Sequence, residues 1–242
     1  MLFRPLRQIA DKFNQLQMGI VAGERVFKVI DTQSFISKEG TTKALNIQGD
    51  INFDNVRFSY IKGEEVLKGV SLDVKQGQTI AIVGATGAGK STIINLINRF
   101  YEIDSGVISV DNIPVDEYEL ASLRNQIAIV LQDVFLFSDS IYNNITLKNN
   151  EITLEEVKKA AVEIGIDDFI MTLPEGYHYN VKERGVMLSS GQRQLIAFLR
   201  AYVSKPRILI LDEATSSVDS HSEQMIQYAT DKITKGRTSI VI

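Results

Sequence analysis

Cysteine is absent from the 242 residues, and so is any long apolar run. Without cysteine the chain can form no disulfide, no thiolate metal site and no cysteine nucleophile, and a cytosolic setting fits best. No apolar stretch approaches the roughly 18 residues that a membrane-spanning helix requires. Met1–Pro5 are not followed by the apolar core of a signal peptide. We therefore expect a soluble stretch that does not itself cross a bilayer, although it can belong to a protein that does.

An excess of positive charge is also missing. The chain has 26 Lys and Arg against 30 Asp and Glu, a net charge of −4. This balance argues against a general nucleic-acid surface, and we predict no nucleic-acid partner. Hydrophobic residues make up 44% of the chain, which is ordinary for a globular protein. The length suffices for one large domain or two small ones.

The clearest motif is Gly84–Thr92, with the sequence GATGAGKST. It follows the apolar run Thr79–Val83 and precedes the helix-like run Ile93–Ile97. This order of strand, glycine-rich loop and helix is that of a phosphate-binding P-loop. The alternative is a chance glycine-rich turn, which leaves the flanking strand and helix unexplained.

The residue types in this motif suit a chain of phosphates. Glycine lets backbone N–H groups approach the phosphates closely, and the following helix adds free N–H groups and the positive end of its dipole. Lys90 supplies a cation for the outer phosphates, and the Ser91 hydroxyl can ligate Mg²⁺. The residues predicted here to bind nucleotide are Gly84, Thr86, Gly87, Gly89, Lys90, Ser91 and Thr92.

Two segments precede the part of the chain that carries this motif. Residues 1–31 are predicted to form one amphipathic helix, because apolar residues recur at spacings of three and four. Its apolar stripe packs either on the core of this chain or on a partner element. Residues 32–48 are polar and are predicted to be a linker. We predict that one domain, built around the P-loop, occupies residues 49–242.

Strand patterns surround the motif. Residues 51–60 alternate between apolar and polar with a slip at Asn55, which predicts a strand with a bulge. Val66–Val74 is a second strand candidate, and the short turns between these strands predict an antiparallel sheet beside the P-loop core.

Later segments complete the predicted fold. Ile127–Leu131 and Arg207–Leu211 are apolar runs typical of buried parallel strands, and Thr238–Ile242 begins another. Residues 138–180 show helical patterns and no convincing strand, so we predict a helical subdomain over about 138–190. The fold class is α/β: a P-loop NTPase core with a largely parallel sheet, an antiparallel β subdomain and an inserted helical subdomain.

Two carboxylates follow the strand Arg207–Leu211. At the carboxyl edge of a parallel sheet, Asp212 and Glu213 would face the P-loop phosphates. We assign Asp212 to Mg²⁺ and Glu213 to the attacking water. The alternative is a strand that simply ends in solvated acids.

A second anion site is predicted at Leu188–Gln192, where two serines and a glycine precede a helix. One nucleotide does not need two such sites from one chain. Here the sequence resembles the nucleotide-binding domain of ABC transporters, in which Ser189, Gly191 and Gln192 match the signature motif. In that family the signature closes on ATP held by the opposite subunit. Ser190 stands where the family usually has glycine.

The resemblance implies roles for further residues. Tyr60 matches the aromatic residue that stacks on adenine, and Gln132 matches the glutamine that touches Mg²⁺ and senses the membrane part. Asp219 matches the loop that crosses the dimer interface. Each of the three also has a purely structural alternative: Tyr60 as an ordinary strand aromatic, Gln132 as a polar loop residue and Asp219 as a turn residue. The catalytic residues implied are Glu213, Lys90 and Gln132; the Mg²⁺ ligands are Ser91, Gln132 and Asp212.

Several segments resemble the exporter branch of the family: Arg99–Tyr101, Leu131–Ser138 and Glu183–Val186. The leading helix resembles the cytosolic end of the last transmembrane helix in such exporters. The resemblance implies an ATPase that powers export through ATP-driven dimerisation. Its partners would be a second nucleotide-binding domain, in a homodimer or heterodimer, and a transmembrane domain N-terminal in the same longer chain. Its place would be the cytoplasmic face of the cell membrane.

The family also places a switch histidine just after the strand that begins at Thr238. His178 and His221 do not match that position and are expected at the surface. This implies a truncated piece with weak or absent hydrolysis. Two alternatives are a soluble ATPase of the same superfamily acting on nucleic acid or ribosomes, and a regulatory module that binds nucleotide without hydrolysis. Intact Lys90, Asp212 and Glu213 argue against the second.

Overall fold

The computed structural model describes residues 3–32, 40–212 and 220–242. The chain separates into two compact units, Met1–Ser37 and Lys38–Ile242. The first unit contains helix α1 (Phe3–Asp31), which confirms the predicted amphipathic helix over those residues. Its apolar side chains, among them Leu6, Phe13 and Ile20, are exposed. In the described ranges, no helix combines the length and hydropathy needed to span a bilayer.

The second unit combines two four-stranded sheets with helices. Its elements in chain order are β1 (Ile51–Ser59), β2 (Glu65–Val74), β3 (Thr79–Ala81), α2 (Lys90–Ile97), β4 (Ser105–Val110), β5 (Ile113–Pro114), α3 (Leu120–Arg124), β6 (Ile127–Val130), α4 (Ile141–Thr146), α5 (Leu154–Glu163), α6 (Asp167–Thr172), α7 (Ser190–Val203), β7 (Ile208–Leu211), α8 (Ser220–Thr234) and β8 (Thr238–Val241). Two 3₁₀ helices, Gly176–His178 and Glu183–Gly185, lie between α6 and α7. The predicted α/β fold class is confirmed.

The first sheet is antiparallel, with the order β2-β1-β4-β5. The slip predicted at Asn55 is present as a register shift between Phe53 and Val56, and Asn55 has φ 48°. The extra residue keeps Phe53 and Val56 on the buried side, at 1% and 0% exposure. β4, which follows the P-loop helix in sequence, returns to pair with β1. The antiparallel sheet therefore includes strands from both sides of the motif.

The second sheet is parallel, with the order β3-β8-β7-β6. Three backbone hydrogen bonds join the strands at their carboxyl ends: Ile82 N to Val241 O at 2.8 Å, Ile242 N to Leu211 O at 2.9 Å, and Asp212 N to Val130 O at 2.9 Å. Because these bonds lie in one row, the segments that leave β3, β7 and β6 start at one edge of the sheet.

Strand β7 separates two hydrophobic cores. Leu209 and Leu211 belong to the core formed with the helices α4 to α8, whereas Ile208 and Ile210 belong to the core formed with α2 and the antiparallel sheet. All four side chains are 0% exposed. Burial on both faces explains why this strand reads as a continuous apolar run.

The helical subdomain begins at a well-bonded carboxylate. Asp139 accepts hydrogen bonds from the side chain of Asn143 and the backbone N–H of Ser140, and it pairs with Lys148; these contacts lower its pKa to about 2. Ser140 caps α4 by accepting from Asn143 N. A capping box between Thr153 and Glu156 starts α5. Local side-chain bonds thus set these helix boundaries.

Part of the segment predicted as a linker is packed. Thr42 accepts a hydrogen bond from Glu119 N at 2.7 Å and donates its own N–H to Glu117 O, while Ala44 and Ile47 are buried. The bond from Glu119 N to Thr42 also lies just before α3, where Glu119 is the extended N-cap residue and the helix begins at Leu120.

Gly106 offers a test of the close approach between β4 and β1. Gly106 has φ +92°, and an added Cβ would lie 2.6 Å from the carbonyl oxygens of Asp54 and Asn55. We expect Gly106→Ala to lower the free energy of unfolding by about 3 kcal/mol, because backbone strain and a backbone clash add. Gly63 has a similar φ of +96° with open space around it, so Gly63→Ala should cost only about 1 kcal/mol. Equal losses in urea denaturation would contradict the close approach.

Candidate functional site

The glycine-rich loop leaves the sheet at the carboxyl end of β3 and leads into α2. β3 ends at Ala81, two residues before the end of the predicted strand, and Val83 is 88% exposed. Gly89 directly precedes α2 with φ +93°, and an added Cβ would lie 2.8 Å from Leu67 Cδ2 of β2. Both the backbone conformation and the space at this position therefore require glycine.

Lys90 lies against the loop that precedes it. Its Nζ donates to the carbonyl oxygens of Gly84 at 2.9 Å and Ala85 at 3.3 Å. The ammonium group is thus held within the loop, where it would meet the outer phosphates of a bound nucleotide. Gly87, at φ +83°, has open space where a Cβ would lie. The loop fits a phosphate chain: its glycines leave room, and its lysine supplies the cation.

The hydroxyl residues at the start of α2 differ in exposure. Ser91 is exposed, whereas Thr92 is 4% exposed and its Oγ1 accepts a hydrogen bond from the Tyr60 hydroxyl at 3.2 Å. Tyr60 follows β1 directly and is 44% exposed. The structure therefore brings Tyr60 to the P-loop helix, as an adenine-stacking residue would require.

Two residues around Tyr60 have roles that the sequence patterns did not reveal. Asn95 Nδ2 donates to the Tyr60 hydroxyl at 3.1 Å, and the Tyr101 ring lies 5.0 Å from the Tyr60 ring in an edge-to-face contact. Asn95 lies three residues after Thr92 in α2, so both side chains can reach one group. The spacing of three residues between Thr92 and Asn95 is therefore the sequence feature that could have predicted this contact.

Gln132 and Asp212 lie at the same edge of the parallel sheet as the loop. Asp212 follows β7 directly, and its N–H bonds Val130 O at the end of β6. Gln132 comes two residues after Val130, with an exposed side chain. Together with Ser91 they offer a carboxylate, an amide and a hydroxyl oxygen, which suit Mg²⁺ that also keeps waters and phosphate oxygens. In the described part of the chain, no group of three or more His, Cys, Asp or Glu residues could hold a metal.

Other predicted residues are placed elsewhere or not described. Glu213 and Asp219 lie outside the described residues, as does the side chain of His221. His178 is exposed, as expected. Glu183–Gly185 forms a 3₁₀ turn in which Gly185 packs on Leu136 and Arg193.

Ser189 and Gln192 form a capping box at the start of α7. Ser189 Oγ accepts from Gln192 N at 3.2 Å, and Gln192 Oε1 accepts from Ser189 N at 3.0 Å. This cap starts the helix at Ser190. α7 packs in the helical core and α2 in the other core. The two predicted anion-binding segments therefore lead into helices that pack in different hydrophobic cores.

Comparison with known proteins finds many proteins that are similar to this chain. The sequence profile described as ABC transporter matches residues 67–216. The ABC transporter ATP-binding protein YknV of Bacillus subtilis is 46% identical over 100% of this chain and 40% of its own length. A fatty acid ABC transporter ATP-binding/permease protein of Mycobacterium bovis is 43% identical over 98% of this chain and 38% of its own length.

A solved structure agrees with these sequence matches. A bacterial Atm1-family ABC exporter with ATP bound matches with a TM-score of 0.79 and 37% identity, over 100% of this chain and 42% of that chain. The chain thus spans about two fifths of the length of the relatives that it matches.

The cap of α7 can be tested by removing one hydroxyl. We expect Ser189→Ala to lower the free energy of unfolding by about 1 kcal/mol, because the N–H of Gln192 loses its acceptor. Ser138 is also exposed but caps no helix, so Ser138→Ala serves as the matched control and should change stability by less than about 0.5 kcal/mol. Urea denaturation measures both, and a Ser189→Ala variant as stable as its control would refute the cap.

Proposed function

The chain belongs to the ABC transporter family, and from this membership we propose that it is the ATP-binding and ATP-hydrolysing part of a transporter that exports a substrate across a membrane. One observation carries the proposal: the row of backbone bonds that brings the exits of β3 and β7 to one sheet edge. The P-loop and Asp212 are the segments that leave those strands. The family supports nucleotide binding, and ATP with Mg²⁺ is the proposed pair.

We assign the binding of one nucleotide to residues along this edge. Gly84, Thr86, Gly87 and Gly89 allow the loop to turn its N–H groups toward the phosphates. Lys90 would exchange the carbonyl oxygens of Gly84 and Ala85 for the outer phosphates. Thr92 would remain beside the phosphates, with Tyr60 stacked on the base.

The proposed reaction is in-line attack of water on the terminal phosphoryl group. Glu213 orients and polarises the water, while Lys90 stabilises the charge that develops on the phosphoryl oxygens. Ser91, Gln132 and Asp212 would hold Mg²⁺, which neutralises part of the same charge when bound. Gln132 lies beyond β6 at the edge of the helical subdomain, so a change at the phosphates can be passed to that subdomain.

The second half of the site would come from another nucleotide-binding domain. Ser189, Gly191, Gln192 and Asp219 are assigned to the nucleotide held by that partner, in either a homodimer or a heterodimer. This assignment is supported by the packing of α7 and α2 in different cores, since a rigid chain presents both segments at separate places. A single copy of the chain should turn over slowly, because each site needs both halves.

The membrane part is proposed to lie in the same longer chain, before α1. The relatives include proteins named as ATP-binding/permease proteins, of which this chain matches about two fifths. The exposed apolar stripe of α1 is compatible with a continuation of a membrane helix. We place the domain at the cytoplasmic face of the membrane. A soluble ATPase acting on nucleic acid is not favoured by these names or by the net charge of −4.

Lys90 tests the binding of ATP. We expect Lys90→Met to weaken MgATP binding by about tenfold or more, since a charge-assisted contact with the phosphates is lost. Lys235→Met removes the same charge at an exposed residue after α8 and should leave the affinity unchanged. Isothermal titration calorimetry measures both. Equal affinity in the two variants would contradict the proposed phosphate site.

Glu213 tests hydrolysis separately from binding. In the longer protein that contains this chain, we expect Glu213→Gln to bind MgATP as tightly as the parent protein but to hydrolyse it at least about a hundredfold more slowly, because the amide is a poor base for water. Single-turnover hydrolysis and calorimetry provide the two measurements. Hydrolysis at the parent rate would remove Glu213 from the proposed mechanism.

A further inference from the structure

The hydroxyl of Tyr60 joins two residues of α2. Asn95 Nδ2 donates to this hydroxyl at 3.1 Å, and the hydroxyl donates to Thr92 Oγ1 at 3.2 Å. Thr92 is 4% exposed, so the bond to Thr92 is partly shielded from competing water, whereas the bond from Asn95 is exposed. The residue that follows β1 is thereby bonded to the helix that begins at the phosphate loop.

The Tyr60 ring is held by two other aromatic rings. Phe58 contacts it edge to face at 4.8 Å between ring centroids, with an interplanar angle of 86°. Tyr101 does so at 5.0 Å and 89°. Phe58 is buried, whereas Tyr60 and Tyr101 are 44% and 46% exposed. The two contacts position the body of the ring, and the hydrogen bonds position its far end.

We propose that Asn95 is a positioning residue for nucleotide binding: it holds the Tyr60 hydroxyl on Thr92 and so fixes the ring that receives the base. The inference rests on the proposed function, which assigns the base to Tyr60. A half-exposed tyrosine without this tie would have to be ordered on binding, at a cost in affinity. With these hydrogen bonds, Tyr60 and the phosphate loop are both attached to α2 before the nucleotide binds.

This role predicts different effects on the binding of the base and on the binding of the phosphates. Asn95 acts on Tyr60, and its contact with the phosphate end of the site passes only through the Thr92 hydroxyl. Loss of Asn95 should therefore weaken a ligand that has a base and spare one that has only phosphates. One hydrogen bond of this type corresponds to an affinity change of about fivefold.

The test compares ATP with tripolyphosphate, which carries three phosphates and no base. Three variants of this chain are measured by isothermal titration calorimetry: Asn95→Ala, Tyr60→Phe and the double variant. Each single variant is expected to bind ATP about fivefold more weakly and tripolyphosphate unchanged. The double variant should be no weaker than Tyr60→Phe alone, because that change already removes the hydroxyl that Asn95 holds. Alanine is a better helix former than asparagine, so α2 should persist.

Tyr228→Phe is the matched control. Tyr228 is 49% exposed in α8 and lies beneath Lys232, so the change removes a similar hydroxyl elsewhere and should leave both affinities unchanged.

Three results would overturn the inference. One is an Asn95→Ala variant that binds ATP as the parent does. Another is an equal loss for tripolyphosphate, which would place the effect of Asn95 on the phosphate loop. The third is a double variant whose loss is the product of the single losses. A parent chain that binds no ATP would overturn the proposed function and the inference with it, and it would be seen before any variant is measured.

Discussion

Burial of β7 on both faces is the constraint on which the rest of the structure depends. Ile208 and Ile210 fill one core while Leu209 and Leu211 fill the other, so the strand cannot leave the sheet without exposing both cores. A shift by one residue would carry the charged Arg207 or Asp212 into a position that a buried apolar residue now fills. Its backbone bonds to β6 and β8 then fix the level at which Asp212 leaves the sheet. The position of the candidate site is therefore set by the packing of β7.

Helix α2 has a comparable double role at the other side of the site. Its first residues carry the polar groups Lys90, Ser91 and Thr92, while Ile93, Ile94, Leu96 and Ile97 are buried in the core beside the antiparallel sheet. The same short helix therefore joins a phosphate loop to a packed core. Through Thr92 and Asn95 it also joins that loop to Tyr60 of the antiparallel sheet. A bound nucleotide would then contact both the loop that follows β3 and Tyr60, which follows β1, and α2 is joined to both.

Much of the fold could be predicted from local patterns. The bulge at Asn55, the buried strands β6 and β7 and the helices of the subdomain follow from apolar periodicity, which reports burial directly. The P-loop was evident because few residue types adopt the positive φ found at Gly87 and Gly89, and Gly89 also lies close to Leu67. Residues 40–48 were misjudged as a simple linker: their polar composition concealed the buried Ala44 and Ile47 and the pairing of Thr42 with Glu117 and Glu119.

The sequence by itself determined the residue types of the candidate site and the order of its elements, because glycine conformation, helix caps and apolar period act over a few residues. Only the tertiary structure decided which strands are neighbours: β4 returns to β1, and β8 lies between β3 and β7. It alone revealed that Asn95 holds Tyr60, 35 positions away. Such contacts depend on hydrogen-bond partners that only the folded chain brings within about 3 Å, a distance that composition and spacing do not encode.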